Sequence, residues 1–194
     1  PTNSIPFQYI TNCPECNAPL ERQEGEANHY CVNENGCATQ IKGKIQHFIA
    51  RKAMNIDGLG TETIVVLYDN GLIKNISDLY SLHYDELIGL DRMAEKSVNN
   101  MLDGIETSKK IPFEKVLFAL GIRFVGDTVA KKLARNFKTI DNIISASFES
   151  LIEVDEIGDR IAQSLINFFA KQENQLIVEK LKQKDLKIEV EEVE

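Results

Sequence analysis

Residues 56–64 read Ile56-Asp57-Gly58-Leu59-Gly60-Thr61-Glu62-Thr63-Ile64, and the chain returns to the centre of this phrase three more times. Leu59-Gly60-x3-Ile64 recurs as Met93-Ala94-x3-Val98, Val125-Gly126-x3-Ala130 and Ile157-Gly158-x3-Ala162. Each copy is an apolar residue, a tiny one, then a small or aliphatic residue four positions on. The tiny residues stand at 60, 94, 126 and 158, so the spacings are 34, 32 and 32, a repeat. Upstream, Ile41, Ile45, Phe48, Ile49 and Ala53 make one apolar stripe at helical spacing. Between the copies, segments 67–82, 98–110, 112–120, 129–146 and 161–181 are mostly helical in period, and strand-type alternation is sparse. Pro112 suits a helix start. The expected fold is therefore mainly α, an array of helices joined by similar turns.

The chemistry of such a turn follows from helix ends. The first backbone N–H groups of a helix lack intrahelical partners, and the macrodipole puts partial positive charge there, so a helix entered through glycine can receive an anion. Gly58 and Gly60 flank Leu59, which can plug the space between two helices, while the N–H groups of Gly60 and Thr61 point outward toward a phosphate. The competing reading is a set of glycine C-caps between antiparallel helices. The copies are unequal: Gly60, Gly126 and Gly158 occupy the key position, whereas the second copy has Ala94 there and Arg92 where Gly58 stands in the first. Copies one and three are the stronger phosphate candidates, and Lys96 can partly substitute in copy two.

Charge supports part of this. Residues 111–146 carry six Lys or Arg against three acids, and residues 147–194 carry six against twelve, so the sign changes from +3 to -6 along the chain. In copy three Arg123 precedes the turn, and Lys131, Lys132 and Arg135 follow it, able to meet a nucleic-acid backbone; the alternative is an ordinary solvated helix face. A total of 22 basic against 30 acidic residues, net -8, argues against strong unaided DNA binding. Weak, salt-sensitive contact with phosphates and no base readout are expected.

All four cysteines lie in the first 37 residues, as Cys13-x2-Cys16, a gap of fourteen, then Cys31-x5-Cys37. Two close thiol pairs separated by a hairpin's length suit tetrahedral zinc, which takes four soft donors at about 2.3 Å. Pro14 stiffens the first knuckle and Asn35-Gly36 supplies a turn before Cys37. Two disulfides are the rival, but such frameworks belong to exported proteins and the N-terminus carries no basic-then-apolar signal. A redox Cys-x-x-Cys is disfavoured by the loop setting and the second thiol pair. With four thiolates the shell is full, so the ion is structural. His29 is read as a surface residue, and His47 and His83 as structural.

The cysteine gaps, then IKGKIQHFIARKAMNIDGLG at 41–60, EKSVNNMLDGIETSK at 95–109 and ALGIRFVGDTVAKKLA at 119–134, resemble the C-terminal part of bacterial NAD-dependent DNA ligases in order and spacing. The resemblance covers nearly the whole chain. It implies a small four-cysteine zinc finger, Cys13, Cys16, Cys31 and Cys37, followed by an array of four helix-hairpin-helix motifs that coincide with the repeats. In that family the region follows an oligonucleotide-binding barrel and precedes a BRCT domain. The family's nick-sealing lysine sits in Lys-x-Asp-Gly; here the residues two before Asp57-Gly58 and Asp103-Gly104 are Asn55 and Met101, so the nucleophile is absent. The resemblance thus implies a non-catalytic region that holds nicked double-stranded DNA across its minor groove through Gly58, Gly60, Thr61, Lys96, Arg123, Gly126, Lys131, Lys132 and Gly158. NAD and Mg2+ would serve only the parent enzyme, whose catalytic domains are the other expected partners.

At 194 residues, 43% hydrophobic, without an apolar run near the roughly 18 residues of a membrane span, the chain is expected to be a globular, monomeric binding protein of the bacterial cytoplasm and nucleoid.

 A start at Pro1 rather than Met predicts a piece of a longer protein. The expected divisions are 1–40 for the zinc finger with the end of a preceding linker, 41–187 for the tandem repeats, and 188–194 as an acidic tail or linker. Two other functions compete with the first: a helix-hairpin-helix repair adaptor that positions another enzyme on DNA, and a zinc-stabilised helical module for protein partners.

Overall fold

The computed structural model describes residues 3–192. The chain forms two compact units, one ending at Gly43 and the other beginning at Lys44.

In the first unit two short strands, β1 (Leu20–Glu21) and β2 (Tyr30–Cys31), pair antiparallel with Leu20 opposite Cys31 and Glu21 opposite Tyr30. An isolated bridge between Asn12 and Pro19 closes the first cysteine knuckle. Asn17 makes the reversal in the left-handed region, φ 60°, and its N–H donates to the Cys13 carbonyl at 2.8 Å. Asparagine tolerates that conformation better than most residues. The second knuckle ends as helix α1 (Ala38–Ile49) begins, with the Ile41 N–H donating to the Cys37 carbonyl at 2.9 Å. The boundary between the units falls inside α1.

The second unit is helical. After α1 come α2 (Thr61–Asp69), a 3-10 turn at Ile76–Ser81, α3 (Tyr84–Ile88), α4 (Glu95–Ser108), α5 (Phe113–Ala119) and α6 (Asp127–Phe137). The chain continues through α7 (Ile140–Ile144), α8 (Phe148–Ile152), α9 (Asp159–Ala170) and α10 (Gln172–Gln183). The core holds Ile45, Phe48, Ile64, Leu67, Leu79, Leu87, Met101, Phe113, Leu117 and Leu133, each under 2% exposed. Burial of one such side chain contributes about 1.5–3 kcal/mol, so these contacts, more than helix propensity, hold the short helices. Among the described residues the buried side-chain polar groups are satisfied: the Tyr80 hydroxyl lies 2.7 Å from Ser108 Oγ, which donates to the Ile105 carbonyl at 2.6 Å.

Three long helical segments expected from periodicity are broken. Within 67–82, α2 stops at Asp69 and the chain reverses at Gly71, φ 72°, before the 3-10 turn. Within 129–146, Lys138 at φ 68° separates α6 from α7, and Thr139 caps α7 by accepting from the Asn142 N–H. Within 161–181, Lys171 leaves helical geometry between α9 and α10. The segment read as a tail is paired in part: the Ile140 N–H donates to the Ile188 carbonyl at 2.9 Å, and the Val190 N–H to the Lys138 carbonyl at 2.8 Å. The last two residues of that segment lie outside the described residues.

Candidate metal centre and nucleic-acid interface

The Sγ atoms of Cys13, Cys16, Cys31 and Cys37 all lie within 4.8 Å of one another. The Cys16 and Cys31 sulfurs are 3.5 Å apart, far beyond a disulfide bond of about 2.05 Å, and all four thiols are free. Four sulfurs around one zinc at about 2.3 Å stand near 4 Å apart, so this donor set fits that ion. Cys13 and Cys37 are buried and the other two half-buried. The outer partners fix the ligand backbones: the Cys13 N–H donates to the Ala18 carbonyl at 2.8 Å, the Cys37 N–H to the Asn33 carbonyl at 2.8 Å, and Gln40 Nε2 to the Cys31 carbonyl at 2.7 Å. The hydrogen bond at the Ala18 backbone brings the Cys16 thiol down to about 7, while desolvation pushes Cys31 up to about 11. A bound zinc would hold all four as thiolates and release their protons. His29 is exposed, stacked on Tyr9 with ring centroids 5.7 Å apart, and is not in this cluster. His47 meets the Phe118 carbonyl at 2.9 Å through Nε2, a structural contact between α1 and α5.

The four sequence copies fold into four turns of one geometry. Gly60, Ala94, Gly126 and Gly158 are the N-caps of α2, α4, α6 and α9, all extended in backbone and none with a side-chain cap bond. Two residues before each stands a left-handed residue: Gly58 (φ 83°), Arg92 (63°), Phe124 (66°) and Glu156 (68°). The apolar residue between them plugs inward, with Leu59 8%, Val125 5% and Ile157 3% exposed, while Met93 is half-buried. Four positions on, Ile64, Val98, Ala130 and Ala162 are 0% exposed. A Cβ added at Gly60, Gly126 or Gly158 would meet nothing within 4 Å. These glycines therefore answer no internal packing need, and no side chain caps the helices that follow them.

The other expected contacts are placed as follows. Gly58 needs its glycine for the fold, since an added Cβ would lie 3.0 Å from the Met101 Cα on α4. Thr61 and Lys96 are exposed in the first turns of α2 and α4. Arg123 is half-buried, with its guanidinium over the Phe124 ring at 5.0 Å. Lys131 is paired with Asp127 at 2.8 Å, and Lys132 with Asp155 at 3.0 Å and Glu156 at 3.1 Å. The hydrogen bond from Lys131 holds the Asp127 carboxyl below its ordinary value, with Lys115 and Lys52 adding to the effect. The hydrogen bond to Asp155 raises Lys132.

Sequence reasoning missed Lys52, Lys115, Phe124 and Arg160. Lys115 Nζ donates to the Lys52 carbonyl at 3.2 Å, which gathers positive charge near the start of α6. Arg160 reaches from α9 to lie over the Phe124 ring at 5.3 Å. Only Arg123-Phe124, an aromatic beside a cation at the turn, offered a local signal.

A four-cysteine cluster and repeated helical turns, three of them entered through glycine, define a zinc-finger protein of the helix-hairpin-helix class. Residues 12–38 match the NAD-dependent DNA ligase C4 zinc finger domain, and residues 115–178 match a helix-hairpin-helix motif, spanning the third and fourth turns. The chain is similar to a DNA ligase of Flavobacterium psychrophilum, 57% identical over 192 residues, which is 99% of this chain and 29% of that protein. It is similar also to DNA ligases of Flavobacterium johnsoniae, 57% identical over 97% of this chain and 28% of the relative, and of Halalkalibacterium halodurans, 51% over 90% and 26%. Over nearly its whole length the chain is similar to the zinc-finger and helix-hairpin-helix segment of DNA ligases, with the zinc-finger match to the NAD-dependent type. It spans less than a third of the length of these curated relatives.

Proposed function

We propose that this chain is the DNA-holding, non-catalytic region of a DNA ligase, and that it grips nicked double-stranded DNA through sequence-independent phosphate contacts. The observation that supports it is the open, uncapped helix start repeated at Gly60, Gly126 and Gly158, in a chain similar to DNA ligases. All four turns act as helix-hairpin-helix elements on this reading. The first and third are the main phosphate sites, the first because it keeps both Gly58 and Gly60, the third because Lys52 and Lys115 strengthen the field near Asp127. Ala94 and Arg92 alter the second, and Asp155 with Glu156 weaken the fourth. Thr61, Lys96 and Arg123 contribute from the turns, and Lys131 and Lys132 by exchanging their carboxylate partners for phosphate. Exposed ion pairs of this kind are worth only about 0–1 kcal/mol, so exchange is cheap.

Zinc, held by Cys13, Cys16, Cys31 and Cys37, fixes the first unit and does no chemistry. The chain has no Lys-x-Asp-Gly, so nick sealing with NAD and Mg2+ is assigned to catalytic domains of the parent, working in the bacterial cytoplasm. The similarity to DNA ligases favours this function over a repair adaptor. Replacing Gly126 by Leu is the direct test, since a Cβ added there meets nothing within 4 Å. The helical spectrum and thermal midpoint should stay close to those of the parent chain while nicked-duplex affinity drops by about tenfold, about 1.4 kcal/mol. Unchanged affinity in Gly126→Leu and Gly60→Leu alike would remove the phosphate mechanism.

A further inference from the structure

The left-handed position of the third turn carries an aromatic ring. Glycine adopts that backbone freely, whereas a bulky side chain adopts it at a cost that calls for a compensating role. Burial is not the compensation here, because Phe124 remains 39% exposed. Two cations attend the ring: Arg123 from the same turn at 5.0 Å and Arg160 from the first turn of α9 at 5.3 Å. The α9 helix is fastened to this turn, Ser164 Oγ donating to the Arg123 carbonyl at 2.6 Å. The uncapped start of α6 lies two residues further on, at Gly126.

An exposed apolar ring between cations has the chemistry of a surface that meets a polyanion with apolar sugar faces. A guanidinium over an aromatic face can turn an N–H edge to phosphate, exchanging a protein partner for it. Proteins that enter the minor groove likewise combine cationic side chains with apolar ones set into the groove. The fourth turn, whose own Asp155 and Glu156 repel phosphate, thereby gains a route to DNA through Arg160.

We infer that Arg123, Phe124 and Arg160 form one composite duplex contact, with the ring packed against deoxyribose in the groove and the guanidiniums on the phosphates beside it. This rests on the DNA-holding function proposed above and adds to it an apolar contact that salt does not screen.

The test is a titration of the chain with a fluorescent nicked duplex across a range of salt. Phe124→Ala should weaken binding by about fivefold to tenfold with the slope of log affinity against log salt unchanged, since no charge is lost. Arg160→Gln should weaken binding and reduce that slope by about one. Phe124→Gly separates fold from contact: it relieves the left-handed backbone, so its thermal midpoint should hold or rise while binding falls as in Phe124→Ala. Parental affinity in both Phe124 variants, or an unaltered slope in Arg160→Gln, overturns the composite contact and leaves the glycine-turn mechanism standing. Failure of the parent chain itself to bind duplex would instead remove the DNA-holding function and this contact together. Phe124-dependent binding of an acidic peptide, with no effect on DNA, would assign the patch to a protein partner and overturn the inference.

Discussion

The two units solve the same problem with different means. Among the described residues of the first unit, the buried apolar side chains are Cys13, Cys37 and Ile41, and two of those are metal-ligand candidates. The second unit buries aliphatic and aromatic residues along its whole length, from Ile45 to Leu186. A module so poor in apolar burial cannot offset its chain entropy by packing, and needs a cross-link or an ion. The helical unit needs neither. A single four-sulfur site can therefore dominate the stability of the first unit, whereas stability in the second is spread over many contacts.

Metal removal breaks this comparison most severely. Structural zinc in small four-ligand modules contributes on the order of 10 kcal/mol or more, which exceeds anything that Ile41 and two short strands supply. A strong chelator, or Cys37→Ala, should therefore collapse amide protection across residues 12–37 while the α4, α6 and α9 amides remain protected. Metal analysis should find about one zinc per chain. Hydrogen exchange showing both units intact after complete metal loss would show that the first unit carries a core of its own.

Distributed stability in the second unit predicts effects of only a few kcal/mol, sorted by glycine environment. A Cβ at Gly104 would sit 2.4 Å from the Asp57 carbonyl oxygen, so α4 and the first turn must separate. Gly104→Ala should cost about 1–3 kcal/mol despite the better helix propensity of alanine. Gly60→Ala, with nothing within 4 Å, should stay within about 0.5 kcal/mol. Denaturant titration of the helical signal measures both, and equal costs would mean that the close approach of α4 to the turn is not real.

The features legible in the sequence were those that local chemistry dictates. Cysteine spacing revealed the thiolate cage because each knuckle closes over a few residues, and the apolar-tiny-x3-small phrase marked all four turns because plug, N-cap and buried contact are adjacent in the chain. Helix breaks were less legible. Lys138 interrupts a good helical period by taking a left-handed backbone, and the pairing of residues 188–190 with 138–140 is set by neighbours some fifty residues away. Side-chain partners were hidden for the same reason. Lys132 reads as a free cation until the fold brings Asp155 and Glu156 to it, and nothing near Phe124 announces Arg160.

The smallest expected effect sharpens the contrast within the helical unit itself, between the third turn and the fourth. Asp155 is 91% and Glu156 57% exposed at the side chain, while Lys132 between them is 26% exposed. Pairs so wet contribute little to folding, so Asp155→Asn with Glu156→Gln should leave stability within about 1 kcal/mol. The same change removes two charges that repel phosphate and releases one cation beside the third turn. Duplex affinity should rise by a fewfold at low salt, and the salt slope should steepen by about one, as expected when one more cation displaces counterions. Adding Lys132→Gln to that double variant should return the slope to its parental value. If the double variant binds no better, or if its gain survives the loss of Lys132, the fourth turn's acids do not set the difference between the two turns, and the bare glycine helix starts alone would have to account for it.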